Sequence, residues 1–138
     1  MNWKYLIIFI VILVADQLVK HLVYLNETFK DFGFWAINYT TNTGAGFGIL
    51  KDNNLLLLFI AVIVLGVILF FHDKIPKKGI IPVWLISAGL VGNLIDRIFR
   101  GFVVDMLDFK WWPVFNVADS ALVIGVIWLI IVLMMEKD

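Results

Sequence analysis

Four long runs of apolar residues dominate the sequence and limit the folds that it can adopt. They cover about residues 3–25, 55–71, 80–98 and 117–135. Each run is close to the ~20 residues that an α-helix needs to cross the ~30 Å hydrocarbon layer of a bilayer. We therefore predict an all-α membrane protein whose four transmembrane helices form one integral-membrane domain over residues 1–138.

The composition is that of a membrane protein. Hydrophobic residues make up 62% of the chain and charged residues 16%, against about 45–50% and about 25% in soluble domains. Eleven basic residues balance eleven acidic ones, so no net charge favours nucleic acid as a partner. The sequence has no cysteine, which excludes disulfides, thiolate nucleophiles and cysteine-ligated metals.

The first apolar run has one alternative interpretation, a cleaved signal peptide, because Lys4 precedes it. After Ala15, however, the chain continues with DQLVKHLVYL rather than with a small-residue cleavage site. We therefore interpret this run as a retained helix.

Basic residues indicate the orientation of the predicted spans. The short loop of residues 72–79 holds three lysines, and such loops favour the cytoplasm. Four spans place both termini on the side of this loop. We therefore expect both termini in the cytoplasm, and residues 26–54 and 99–116 on the other side of the membrane.

Acidic residues inside the apolar runs lie at one end only. Asp16, Asp96 and Asp119 all fall near the end that adjoins residues 26–54 or 99–116. A carboxylate is too short to reach the interface from within the membrane, and it costs about 2.5–3.5 kcal/mol at the centre of a helix. We therefore expect these three carboxylates to face the protein interior or a water-filled cavity.

Two sets of polar residues share a helix face by their spacing. Asp16 and Lys20 are four residues apart and could form a pair. A second stripe, on the third run, consists of Asn93, Asp96, Arg97 and Arg100. A simpler alternative stays open for Lys20 and Arg100, namely that these long basic side chains extend to the membrane interface.

The segment GFVVDMLDF, residues 101–109, predicts a short extended piece because a β-branched pair follows a glycine. Folded back over the helix ends, it would bring Asp105 above Asp119. Close carboxylates cannot both ionise, so one proton is shared and the pair can act as acid and base. A helix N-cap is the alternative role here, and it fits Asn116 better than Asp119, which a long apolar run follows.

The sequence has few of the residues that metal-dependent, serine-based or phosphate-binding chemistry would need. His21 and His72 fall on opposite sides of the predicted membrane, so neither a two-histidine metal site nor any other metal site is expected. No histidine is placed to serve Ser87 or Ser120 as a base. The stretch NTGAGFG, residues 42–48, lacks the lysine and preceding strand of a phosphate-binding loop. Its glycines more plausibly permit a tight turn and a close approach of the backbone.

Five motifs together resemble those of the lipoprotein signal peptidases (signal peptidase II), which are bacterial membrane aspartyl endopeptidases. In chain order they are DQLVK (16–20), NTGAGFG (42–48), GNLIDR (92–97), GFVVDMLDF (101–109) and FNVADS (115–120). The resemblance implies four transmembrane helices with a small extracytoplasmic β-cradle. The cradle would use parts of residues 26–54 and 101–114.

The resemblance also implies a catalytic dyad of Asp105 and Asp119, with no cofactor. Further residues would line or brace the site: Asp16, Lys20, Asn42, Gly44, Asn93, Asp96, Arg97, Asn116 and Ala118. The implied substrate is a prolipoprotein whose cysteine already carries diacylglycerol, cut just before that cysteine. Such an enzyme would be a monomer in the bacterial cell membrane, in contact with phospholipid, with its active site near the extracytoplasmic face.

Three further residues near the implied site, Arg97, Trp111 and Trp112, have roles that the residues themselves suggest. Arg97 could pair with a carboxylate such as Asp96, or contact the phospholipid-like surroundings of the substrate. Trp111 and Trp112 are expected as anchors at the membrane interface.

Two other classes of function fit the sequence less well. Intramembrane aspartates also mark proton-coupled transporters, but a transport pathway needs polar groups through the membrane, and residues 55–71 contain none. A non-enzymatic scaffold would leave the clustering of Asp105, Asp119 and the neighbouring asparagines unexplained.

Overall fold

A computed structural model describes residues 3–45 and 49–136. Within these ranges the chain forms four α-helices, and they begin and end within one residue of the four apolar runs. The helices are α1 (Trp3–Asn26), α2 (Asn54–Phe70), α3 (Ile80–Phe99) and α4 (Val117–Met135). Three apolar helical stretches are long enough to cross a membrane: Trp3–Asn26, Lys77–Phe99 and Val117–Met135. The chain is therefore a multi-pass membrane protein, and α2, with 17 residues, is a shorter apolar helix.

Helix α3 lies in the middle of the bundle and packs against α1, α2 and α4. Glycines bring α3 and α4 unusually close together. A Cβ atom on Gly89 would lie 2.4 Å from the carbonyl oxygen of Ala118, and one on Gly125 would lie 2.8 Å from that of Pro82. Most large apolar side chains of the other three helices are exposed, as is expected of surfaces that face lipid.

A small antiparallel sheet covers one end of the bundle. Its strands, in the order β1-β2-β3, are β1 (Phe29–Asp31), β2 (Ala36–Asn42) and β3 (Val103–Asp108). The predicted extended piece in residues 101–109 and the small sheet implied by the resemblance are thus confirmed. Gly101, with φ of 79°, makes the turn from α3 into β3, a backbone conformation that glycine adopts without strain.

The pairing of β2 with β3 contains one irregularity that matters for the site. Ile37 lies opposite Leu107, whereas Thr40 lies opposite Asp105, so β2 has one more residue than β3 between these pairs. This is the geometry of a β-bulge, which changes the direction in which the following side chains point.

The inner face of the sheet packs onto α1. Val104 and Met106 of β3 are buried against Val23 of α1. Because strand residues alternate between faces, the residue between Val104 and Met106 points away from this cluster. That residue is Asp105.

Candidate active site

Asp105 is a buried carboxylate with a hydrogen-bond donor on each oxygen. Its side chain is 2% exposed. Asn42 Nδ2 donates to Oδ2 at 2.9 Å, and Asn116 Nδ2 donates to Oδ1 at 2.7 Å. Burial raises the pKa of Asp105 to about 7, the negative charge of Asp119 adds to this, and the hydrogen bonds from Asn42 and Asn116 oppose it. Asp105 can therefore hold or release a proton near neutral pH.

Asp119 belongs to the first turn of α4 and takes part in a capping box. The side chain of Asn116, the N-cap residue, accepts from the Asp119 backbone N–H at 2.8 Å. In return, the backbone N–H of Asn116 donates to Asp119 Oδ2 at 3.2 Å. The N-cap expectation for Asn116 is confirmed, and the sequence analysis underrated Asp119, which completes the box from the third helical position.

Asn93 supplies the second donor to Asp119. Its Nδ2 lies 2.7 Å from Asp119 Oδ1. Asn116 meanwhile contacts both carboxylates, through its side chain to Asp105 and through its backbone to Asp119. The two acids, which come from β3 and α4, are thus joined through a single asparagine.

A fully buried ion cluster lies next to these asparagines. Lys20 Nζ is 2.8 Å from Asp16 Oδ2 and 3.1 Å from Asp96 Oδ2, and all three side chains are 0% exposed. Arg100 also pairs with Asp96. The pairing of Asp16 with Lys20 is therefore observed, and the alternative in which Lys20 extends to the membrane interface is wrong because its side chain has no exposed surface.

The carboxylates of this cluster also hold backbone groups. Asp16 Oδ1 accepts from the N–H of Ala118 at 2.8 Å, which ties α1 to the first turn of α4. Asp96 Oδ2 accepts from the N–H of Val104 at 3.0 Å, which ties α3 to β3. The cluster thus positions the two elements that carry Asp119 and Asp105.

Gln17 is a member of this network that the sequence analysis missed. Its Nε2 donates to the carbonyl oxygen of Gly92 at 3.1 Å and also contacts Asp16 and Asp96, at 3.1 and 3.3 Å. A neutral amide next to an aspartate in an otherwise apolar run was the available signal, since polar side chains in such runs tend to bond across helices.

Arg97 contacts the backbone of the loop after β2 and makes no ion pair with Asp96. Its Nη2 donates to the carbonyl oxygen of Gly44 at 2.9 Å. The N–H of Gly44 in turn donates to Asn42 Oδ1 at 2.8 Å. The proposed pairing of Arg97 with Asp96 is wrong because Lys20 and Arg100 already neutralise that carboxylate.

Gly44 lies where the backbone turns tightly, as expected for the glycine-rich stretch. A Cβ atom at this position would lie 2.9 Å from the carbonyl oxygen of Ile49. The remainder of that motif, residues 46–48, lies outside the described residues. Gly44 therefore connects the loop both to Arg97 and, through Asn42, to Asp105.

A cavity of about 520 Å³ adjoins the two acids. Its polar lining comes from Asn42, Gly44, Arg97, Asp119 and Ser120. The apolar lining comes mainly from Trp112, Pro113, Val114, Phe115, Leu122, Val123 and Ile124. Asp119 borders the cavity directly, whereas Asp105 lies behind Asn42. The apolar lining residues and Ser120 were missed because aromatic and aliphatic side chains carry no distinguishing signal in so hydrophobic a sequence.

An aromatic hollow of about 330 Å³ shares Trp112 and Phe115 with the cavity and also contains Phe109 and Trp111. Trp111 is 78% exposed.

Within the described ranges 3–45 and 49–136, no group of three His, Cys, Asp or Glu side chains is placed to hold a metal ion.

These features define a helical membrane protein with two linked carboxylates at one end of its bundle, next to a cavity that is polar at one side and apolar at the other. Residues 8–135 match the model of a family described as signal peptidase (SPase) II. The chain belongs to the signal peptidase II family, and it is therefore a membrane peptidase.

Individual relatives extend this similarity over nearly the whole chain. The lipoprotein signal peptidase of Halothermothrix orenii is 42% identical, covering 96% of each chain. That of Enterococcus faecalis is 40% identical, covering 96% of this chain and 89% of the relative.

Solved structures agree with the sequence comparison. Two structures, each described as a bacterial membrane enzyme, share the fold. One has a TM-score of 0.93 at 29% identity and covers 100% of this chain and 92% of that one. The other has a TM-score of 0.84 at 30% identity and covers 96% and 94%.

Proposed function

We propose that the chain removes the signal peptide from diacylglyceryl-modified prolipoproteins, cutting on the N-terminal side of the lipidated cysteine, with Asp105 and Asp119 as the catalytic pair. The observation that carries this proposal is the linkage of the two carboxylates through Asn116 at the edge of the cavity. Relatives named lipoprotein signal peptidase support the substrate class.

The two acids take different roles in the proposed mechanism. Asp119 borders the cavity, and its carboxylate accepts hydrogen bonds from two N–H groups. It also lies near the positive end of the α4 helix dipole. The hydrogen bonds and the dipole both favour the ionised form of Asp119. It takes a proton from a water molecule that attacks the scissile carbonyl. Asp105, whose pKa is raised to about 7, donates its proton to the carbonyl oxygen and recovers it when the tetrahedral intermediate collapses. Asp119 then passes the proton that it took from water to the leaving amine, which restores both acids to their starting states.

The cavity suits a substrate that is part peptide and part lipid. Its polar side can hold the peptide bond beside Asp119, while its apolar side can contact acyl chains. Arg97 borders the cavity, and its Nε is buried without a hydrogen-bond partner among the described residues. A buried donor of this kind is costly unless it is satisfied, and an oxygen atom of the lipidated substrate would satisfy it.

The remaining named residues support the pair. Asn42, Asn93 and Asn116 donate to the two carboxylates, and Gly44 orients Asn42. Asp16, Lys20, Asp96 and Ala118 hold the elements together behind the asparagines. All these groups come from one chain, so the proposed mechanism uses no residue of a second copy, and we propose that the protein acts as a single-domain monomer.

We further propose that α2 spans the membrane as the fourth helix. Seventeen residues lie at the lower limit for a span, and only Ala61 of α2 is buried. Four spans would place both termini in the cytoplasm and the catalytic pair near the extracytoplasmic face of the cell membrane. An impermeant thiol reagent should then fail to label Lys77→Cys in intact cells, and strong labelling would reverse this topology.

A cleavage assay tests the proposed activity. The purified full-length chain is incubated with a diacylglyceryl-modified precursor and with the same precursor without lipid, and the products are separated by mobility. We expect cleavage of the lipidated precursor only, and we expect it to persist in a metal chelator. Cleavage of both precursors would contradict the substrate assignment, and a loss of activity in chelator that added metal restores would contradict the carboxylate pair as the whole catalyst.

A further inference from the structure

Lys20 is surrounded by three acceptors and lies outside the lining of the cavity. Its ammonium contacts Asp16 Oδ2 at 2.8 Å, Asp96 Oδ2 at 3.1 Å and Asn93 Oδ1 at 2.9 Å. An ammonium group has three N–H donors and no acceptor. Each donor of Lys20 thus has one partner, and the partner on Asn93 has to be the amide oxygen.

The contact with Lys20 decides which way the Asn93 amide points. An asparagine amide can turn by about 180°, which exchanges its oxygen and its NH₂ group. In Asn93 two donors, Lys20 Nζ and Asn116 Nδ2, meet the oxygen at 2.9 and 3.1 Å. The NH₂ group therefore points to Asp119 Oδ1, 2.7 Å away. A turned amide would set N–H groups against the ammonium and a carbonyl oxygen against the carboxylate.

We infer that Lys20 is a positioning residue: through Asn93 it holds an N–H donor against Asp119 in the orientation that the reaction requires. This inference rests on the proposed function for its catalytic meaning. It also gives the buried ion cluster a purpose, because buried ion pairs seldom add net stability. The two negative charges of Asp16 and Asp96 balance the two positive charges of Lys20 and Arg100. A fixed ammonium group therefore lies near the catalytic pair without an excess of local charge.

The test needs a variant that removes the ammonium and still folds. Lys20→Met alone would leave two buried aspartates with one arginine, which is strongly destabilising. The double variant Lys20→Met/Asp16→Asn removes one charge of each sign, and the oxygen of the new amide can still accept from Ala118. Lys110→Met is the matched control, because it breaks a lysine–aspartate ion pair with Asp31 at 2.8 Å on the exposed sheet.

Kinetics with the lipidated precursor give the first readout. We expect Lys20→Met/Asp16→Asn to lower kcat by about 10–100-fold, because the oriented hydrogen bond to the Asp119 carboxylate is lost, with KM nearly unchanged because Lys20 does not line the cavity. Asp16→Asn alone and Lys110→Met should retain far more of kcat. Adding Asn93→Ala to the double variant should give no greater loss than Asn93→Ala alone, because residues that act as a unit lose activity non-additively.

Two kinetic outcomes would overturn the inference. A double variant with the kcat of the wild type would show that Lys20 only neutralises charge. Losses that multiply when Asn93→Ala is added would show that Lys20 does not act through Asn93. Thermal unfolding of every variant is compared with the wild type, so that a misfolded protein is not counted as a slow one.

The carboxyl ¹³C resonance of Asp119 separates this inference from the proposed function, because it needs no substrate. We expect the double variant and Asn93→Ala to displace this resonance to the same extent, and Lys110→Met to leave it in place. A displaced resonance in a protein that cleaves no precursor would reject the proposed function and retain the positioning role. An unmoved resonance in the double variant would reject the positioning role, even if the wild type cleaves.

Discussion

Asp105 and Asp108 lie three residues apart on β3 and differ in almost every property that determines their chemistry. Each accepts a hydrogen bond of 2.9 Å from an asparagine of β2, Asn42 for Asp105 and Asn38 for Asp108. Yet the pKa of Asp105 is raised to about 7, and that of Asp108 is lowered, chiefly by its hydrogen bond from Asn38 and then by the backbone N–H of Lys110. An asparagine donor thus lowers the pKa of both carboxyl groups. At Asp105, however, burial and the nearby charge of Asp119 outweigh it.

The bulge in β2 allows this difference. Asn38 and Asn42 are four residues apart and would face the same side of a regular strand, whereas Asp105 and Asp108, three apart, face opposite sides. The additional residue of β2 between Ile37 and Thr40 shifts the pairing. As a result, each asparagine meets a different aspartate.

The largest expected difference between the two aspartates is in cleavage. Asp105→Asn should lower the rate by about 10²–10⁴, because an amide keeps the shape of the carboxyl group but cannot donate its proton. Asp108→Asn should cleave the lipidated precursor at close to the wild-type rate. Comparable loss in Asp108→Asn, together with an active Asp105→Asn, would mean that the wrong carboxylate of β3 has been assigned to catalysis.

The same assay tests whether Asp119 is the partner of Asp105. Asp119→Asn should lose as much activity as Asp105→Asn, and the double variant should be scarcely worse than either single one, since the two act as a unit. Losses that multiply would separate the two carboxylates functionally.

Asp105→Asn should raise the stability of the protein above neutral pH, although it lowers the activity. Between its unfolded value near pH 4 and its folded value of about 7, the folded protein holds a proton that the unfolded chain has released. The free energy of unfolding therefore falls as the pH rises through this window. Above pH 7, Asp105→Asn should exceed the wild type in stability by up to about 4 kcal/mol, less the cost of setting its NH₂ group against the amide donor of Asn42 or Asn116. Thermal unfolding in detergent from pH 4 to 8 measures this difference, which should decrease towards pH 4.

Replacing the asparagines that donate to Asp105 and Asp108 should give a smaller difference between the two aspartates. Asn42→Ala removes a hydrogen bond that lowers the pKa of Asp105, so this pKa should rise further. Because Asp105 acts in its protonated form in the proposed mechanism, the loss of kcat/KM at alkaline pH should move to higher pH, with a fall in rate of about tenfold at the optimum. Asn38→Ala should leave the pH profile of kcat/KM unchanged. An equal shift of this profile in Asn42→Ala and Asn38→Ala would contradict the proposed difference between Asp105 and Asp108.

The smallest effect is expected for the stability of Asp108→Asn. The lowered pKa of Asp108 means that its contribution is present above about pH 4 and is lost as the pH falls through the folded value. Solvent reaches this side chain, so the contribution should be below about 1 kcal/mol. Chemical denaturation at pH 7 and pH 3 tests this, and a larger loss at pH 7 would show that Asp108 supports the sheet more than its exposure implies.

The sequence predicted those parts of the fold that depend on local patterns. Apolar runs gave the helices, and the valine pair after Gly101 gave β3. The spacing of Asp16 and Lys20 gave their ion pair, because four residues on a helix settle which side chains are neighbours. The side of the membrane on which each loop lies, and the number of helices that cross it, stay predictions.

Long-range contacts set the features that the sequence did not predict. The bulge that brings Asn42 to Asp105 depends on how two distant strands align. The pairing of Asp96 with Lys20 depends on how α1 packs against α3, and no spacing within a single helix predicts it. The pairing of Asp96 with Arg100 rather than Arg97 does follow from spacing, since Asp96 and Arg100 are four residues apart on α3.

The capping box at the start of α4 has a consequence for how the protein is made. Synthesis proceeds from the N-terminus, so Lys20, Asn93 and Asp105 all leave the ribosome before Asp119. The contacts that join Asp119 to Asn116, and through it to Asp105, can form only once the first turn of α4 has folded. On the proposed mechanism, a chain that is still being inserted contains no assembled catalytic pair, and we expect proteolytic activity to begin only when the last helix is in place.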